Sequence, residues 1–67
     1  MKKLIITFGQ DQIVIIDKIL TDLGGNHVAN SSKTTNEETR TVTYTIDFKS
    51  IYSIYLFGYK QAKAIPF

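Results

Sequence analysis

His27 is the chain's single imidazole, and an imidazole acts as a general base only beside a nucleophile or an orienting carboxylate. It follows the Gly24-Gly25 pair with no such partner assured nearby, so a structural or solvent-exposed role is expected. Asp11, Asp17 and Asp22 fall near one face of a helical segment. Two carboxylates divide acid and base work only where their environments push the pKa values apart, and nothing in the pattern buries these. They read as a solvated face. Glu37-Glu38 reads as a charged turn.

Gly9 lies between a strand and a helix, where phosphate-binding turns occur. One glycine is far short of a glycine-rich fingerprint, and Asp11 at the helix start repels phosphate. Asn30-Ser31-Ser32 matches a glycosylation acceptor, which has no meaning in the cytosol. The chain has no cysteine, so disulfides and thiolate metal sites are excluded. No catalytic residue, cofactor or metal site is expected, and the chain is read as a non-enzymatic protein.

The elements that would carry these residues emerge from periodicity. Residues 2–8 are β-branched and aromatic, with Leu4, Ile6 and Phe8 on one face of a strand and Ile5 on the other. Asp11 is placed to cap a helix over residues 11–23. At about 100° per residue, Ile16, Ile19, Leu20 and Leu23 form its apolar stripe, with Ile13 and Ile15 at the edges. Val14 is the one large apolar residue on the polar side, and Gly24-Gly25 stops the helix.

Residues 26–34 are polar and read as a strand mainly because residues 39–48 supply a partner. A turn is predicted at Thr35-Asn36-Glu37-Glu38, and beyond it residues 39–48 alternate. Val42, Tyr44, Ile46 and Phe48 take one face, and Thr41, Thr43, Thr45 and Asp47 the other. The polar partner has the character of an edge strand. Residues 50–63 read as a second helix with Ile51, Tyr55, Gly58 and Ala62 as its core stripe, ended by Pro66.

The expected fold is thus α+β, in the order β-α-β-β-α. It has a three-stranded mixed sheet of order 1-3-2 and two helices on one face, the arrangement of half a ferredoxin-like fold. The open sheet face would carry Lys3, Ile5, Thr7, Thr41, Thr43 and Thr45, without the exposed aromatics that single-strand RNA readers use.

With 67 residues the chain is one domain, 1–67. A domain this small buries only ~60% of its unfolded surface, which makes self-association a natural support. Hydrophobic residues at 43% and charged residues at 21% argue against disorder. The net charge of +2 is too small to imply nucleic acid on its own. The apolar start at Leu4-Ile5-Ile6 ends at Gly9, too short for an export signal, and no run approaches the ~18 apolar residues of a membrane span. A cytoplasmic, non-membrane protein is expected.

The second helix carries the functional expectation. Beside its core stripe it bears Tyr52, Leu56 and Tyr59, ending in Lys63, with Phe57 further round near Lys60. One packed helix face needs about one apolar stripe, so the surplus points to a contact with a protein partner or a second copy in a homodimer. The expected partner-binding residues are Tyr52, Leu56, Phe57, Tyr59, Lys60 and Lys63. Phe57 weighs most here, because its side chain has no polar tip to justify exposure. The alternative is a nucleic-acid or regulatory role, using the lysines and tyrosines of the same helix. Ile65, Pro66 and Phe67 are available to fold back over part of this surface.

Overall fold

The alternating segment Thr41–Phe48 forms the centre of the molecule. In the computed structural model, which describes residues 2–64, the elements are β1 (Lys2–Gly9), α1 (Ile13–Leu23), β2 (Val28–Asn36), β3 (Thr41–Phe48) and α2 (Ile51–Ala64). The sheet order is β1-β3-β2. Both hydrogen-bonded pairs are antiparallel, so the expected mixed sheet is corrected to an antiparallel one. β1 and β2 run the same way, but β3 lies between them and no parallel ladder forms.

Side chains opposite one another in an antiparallel pair share a face. Leu4, Ile6 and Phe8 of β1 stand against Ile46, Tyr44 and Val42 of β3. These, with Ile16, Ile19 and Leu23 of α1 and Phe57 of α2, make one core. The other face pairs Ile5 with Thr45 and Thr7 with Thr43, whose hydroxyls meet at 3.0 Å. Ile5 is exposed there. Beyond Val28, every residue of β2 is exposed, because the helices do not extend over this edge and its side chains are polar. A register shift between Val28 and Asn30 leaves the strand irregular where it enters the sheet.

The junctions differ from expectation in two places. Asp11 makes no capping hydrogen bond; a single 3-10 turn, Gln10–Gln12, leads into α1 instead. The β2–β3 turn lies two residues later than predicted, over residues 37–40. Asn36 fixes it, its side-chain carbonyl accepting from the backbone N–H of Glu38 at 3.0 Å and of Thr39 at 3.4 Å. This local bond competes with strand extension and favours a turn. Arg40 closes the turn at φ 55°. At the end of α1, Gly24 takes φ 64° while its N–H still reaches the Leu20 carbonyl, a conformation that glycine adopts at little cost.

The expected core stripe of α2 is overturned. Ile51 and Tyr55 are exposed, as are Gly58 and Ala62. The buried residues are Ser53 and Phe57, flanked by half-buried Ile54, Leu56 and Gln61. The buried pair lies two residues on from the expected Ile51 and Tyr55, so at 3.6 residues per turn the helix is turned by nearly half a turn from the expected seating. Phe57 lies 5.5 Å, ring centroid to centroid, from Phe48 at the end of β3. Tyrosine tolerates a wet edge because of its hydroxyl and phenylalanine does not, so the face holding Phe57 goes inside. The expected stop at Pro66 and the fold-back of Ile65 to Phe67 lie outside the described residues.

Candidate interaction surface

The rotation of α2 is set at its first turn by hydroxyls and an imidazole. Ser50 precedes the helix, and its Oγ accepts the backbone N–H of Ser53 at 3.1 Å, satisfying one of the otherwise orphaned first-turn donors. The Ser53 hydroxyl lies 3.0 Å from Ser50 Oγ and 2.9 Å from His27 Nδ1. Lys49 N–H donates to the His27 carbonyl at 2.9 Å. His27 therefore ties the strand entry to the helix entry. Ser53 is 1% exposed, so its hydroxyl is closed to a substrate and the Ser–His pair works as a clasp. Among the described residues no buried side-chain polar atom lacks a partner.

With Ser53 and Phe57 inside, the opposite face of α2 must point outward. Tyr52, Tyr55 and Tyr59 follow one another along it, each more than half exposed. Their rings are nearly parallel. Tyr52 and Tyr55 are 6.3 Å apart with 22° between planes, and Tyr55 and Tyr59 are 6.4 Å apart with 18°. The ridge is bounded at one end by the His27 ring, 6.2 Å from Tyr52. At the other end Lys63 Nζ lies 4.8 Å over the Tyr59 ring, within cation–π range. Ile51 adds an exposed aliphatic side chain.

Of the residues expected to bind a partner, Tyr52, Tyr59, Lys60 and Lys63 are exposed on α2. Leu56 is half-buried against the core. Phe57, at 2% exposure, is a core residue, and its expected place on an outer surface is corrected by the rotation described above. Tyr55, assigned to the core from the sequence, takes the middle position of the ridge. Its spacing from Tyr52 and Tyr59, i+3 and then i+4, is the signal that places three tyrosines on one face.

A second polar cluster lies where α1 crosses the sheet. Tyr44 donates its hydroxyl to Asp17 Oδ1 at 2.8 Å, and Lys33 Nζ donates to Oδ2 at 2.6 Å. Asp17 is thus half-buried and paired, where the sequence pattern suggested a solvated carboxylate. Burial works to raise its carboxyl, but the hydrogen bonds from Lys33 and Tyr44, with the lysine's charge, outweigh burial and hold it below the ordinary value. Burial raises the Tyr44 phenol, and the hydrogen bond to Asp17 and its negative charge raise it further. The phenol stays neutral and structural.

Gln10 makes a third, bridging set at the far end of the sheet. Its Nε2 reaches the carbonyls of Asn36 and Thr41 and Glu37 Oε1, each at 3.3 Å, and its backbone N–H donates to the Arg40 carbonyl at 3.0 Å. Together these bonds hold β1 to the β2–β3 turn. No helix among the described residues is long and apolar enough to cross a membrane. In comparisons with known proteins, no protein family, no curated protein and no solved structure matches this chain.

Proposed function

We propose that this chain is a small non-enzymatic interaction domain that docks a protein through the outer face of α2. The observation that carries the reading is the ridge of Tyr52, Tyr55 and Tyr59 on a helix already seated by Ser53 and Phe57. Tyrosine brings large, rigid contact area to an interface with a hydroxyl that tolerates water before docking. The core is closed without these rings, so their exposure is surplus to folding. The occupant is another protein or a second copy forming a homodimer. A cytoplasmic setting accords with a cysteine-free chain.

The experiment compares the wild type with a Tyr52→Ala, Tyr55→Ala, Tyr59→Ala triple variant. Sedimentation over a wide concentration range reads self-association, and capture from host lysate followed by mass spectrometry reads a different partner. The reading expects association lost in the variant with its circular dichroism unchanged. A monomeric wild type that captures nothing, or a variant that binds as well, refutes it.

A second reading is supported by the lysines beside the ridge. Parallel exposed rings with Lys60 and Lys63 alongside offer stacking and phosphate contacts to a single-stranded nucleic acid. Fluorescence anisotropy with a labelled oligothymidine tests it. This reading requires binding that falls with salt, by a slope of about −0.7 per phosphate contact, and that is lost on removing the tyrosines.

A further inference from the structure

Val14 is 79% exposed on the polar side of α1. It opens a groove between the two helices. Val14, Ile15 and Ile19 of α1 line one side with Lys18 and Asp22; Tyr59, Lys60, Lys63 and Ala64 of α2 line the other. The groove has a volume of about 530 Å³ and opens to solvent. Its lining is aliphatic with one aromatic wall, and its rim carries three lysines against one aspartate. The whole chain's net charge is only +2, so the groove holds as much net positive charge as the entire protein. The one salt bridge among the described residues joins Lys33 to Asp17, so Lys18, Lys60 and Lys63 make none among them, and Asp22 is the one carboxylate on this rim.

We propose that this groove receives an acidic amphipathic helix of a partner protein, with apolar residues on Val14, Ile15, Ile19 and Tyr59 and carboxylates against the three lysines. The inference rests on the protein-docking reading above and names the partner's chemistry. Lengths agree. Val14 to Asp22 spans about 12 Å at 1.5 Å per residue, and helix-in-groove anchors at i, i+4 and i+7 span about 10 Å. A small molecule fits less well, because such ligands are usually enclosed over most of their surface, whereas this groove is open. A second copy is a poor complement. Among the described residues, α2 carries no carboxylate, and the apolar stripe of α1 that runs beside Asp17 and Asp22 is turned into the core.

The test uses two synthetic helical peptides of about four turns, with the same leucine stripe flanked by glutamates in one and by lysines in the other. Each is titrated into methyl-labelled protein. The methyl resonances of Val14, Ile15 and Ile19 are expected to shift saturably with the glutamate peptide, which should bind at least about tenfold more tightly than the lysine peptide. Val14→Asp should weaken binding by roughly tenfold or more without altering the fold. Lys18→Glu with Lys63→Glu should reverse the preference between peptides, a result that general destabilisation cannot produce. Several outcomes overturn the proposal: no shift, equal binding of both peptides, dodecanoate shifting these methyls while the glutamate peptide does not, or shifts that track protein concentration alone, which mark a second copy. The ridge reading fails separately. If Val14→Asp retains a captured partner that Tyr55→Ala loses, the groove assignment is refuted and the ridge stands.

Discussion

Replacing Phe57 with alanine should unfold much of the population, whereas replacing Tyr55, two residues before it on the same helix, should leave stability almost unchanged. Phe57 is 2% exposed and packs against Phe48, while Tyr55 is 64% exposed with its ring beside those of Tyr52 and Tyr59. A buried phenylalanine cut to alanine loses its transfer free energy and leaves a cavity, together about 3–5 kcal/mol. At 0.05–0.15 kcal/mol per residue, a domain of this length holds roughly 3–10 kcal/mol in all. With a urea m-value near 1 kcal/mol/M for so small a protein, Phe57→Ala should lower the midpoint by about 3 M or more. Tyr55→Ala, an exposed substitution, should move it by less than about 0.5 M. Urea titration monitored by circular dichroism reads both. A Phe57→Ala shift below about 1 M, or equal shifts for the two variants, would mean that α2 is seated on the wrong stripe.

Stability should fall at both ends of the pH range through the Asp17–Tyr44 pair. The folded-state pKa of Asp17 is depressed, so its contribution is present above about 4 and is lost as pH falls through the folded value. The folded-state pKa of Tyr44 is raised, so its contribution is full below about 10 and is lost as pH rises through the folded value. Tyr44→Phe should cost about 1 kcal/mol at neutral pH, discounted for the partial exposure of Asp17, and less in acid; urea melts at several pH values check this. Arg40→Gly should stabilise by up to about 1 kcal/mol by relieving the left-handed backbone at φ 55°, and a thermal melt shows the sign. Ser53→Ala should cost about 1–2 kcal/mol by breaking the clasp to His27 and Ser50, read by a urea melt, and should shift the His27 ring resonances from their wild-type positions.

The parts of the fold that were legible share one property: a single pattern had no competitor. β3 alternates over eight residues, and Val42, Tyr44, Ile46 and Phe48 are all buried while the intervening threonines face away. The stripe of α1 is equally plain, and Ile16, Ile19 and Leu23 lie inside with Val14 out. On α2 the apolar spacing points to Ile51 and Tyr55, with Tyr52, Leu56 and Tyr59 beside them, and the buried face centres on neither set. Ser53 conceals that face, because it puts a polar side chain at its centre beside Phe57, and hydropathy cannot anticipate a serine whose hydroxyl is satisfied by a histidine 26 residues away. The polar strand β2 suffered likewise, because with only Val28 partly covered it offers no alternation, and its end is set by Asn36 in the turn. From the sequence the candidate surface is expected on α2, and the set of residues exposed there changed when the helix turned. Tyr55 replaced Phe57.

The two edge strands have different claims on β3 when the chain assembles. β2 meets it through the four-residue turn at residues 37–40, whereas β1 must return from far away, as Thr7 and Thr43 are 36 residues apart. Closing a loop of ~36 residues costs about 2 kcal/mol more entropy than closing one of ~4. The hairpin is therefore the early structure, on the microsecond scale of such units, and yet it buries little by itself because β2 is polar from Asn30 onward. β1 arrives late but brings Leu4, Ile6 and Phe8 to the core. Commitment to the native state waits on the strand that is harder to bring in, and the hairpin that forms easily remains reversible until it does.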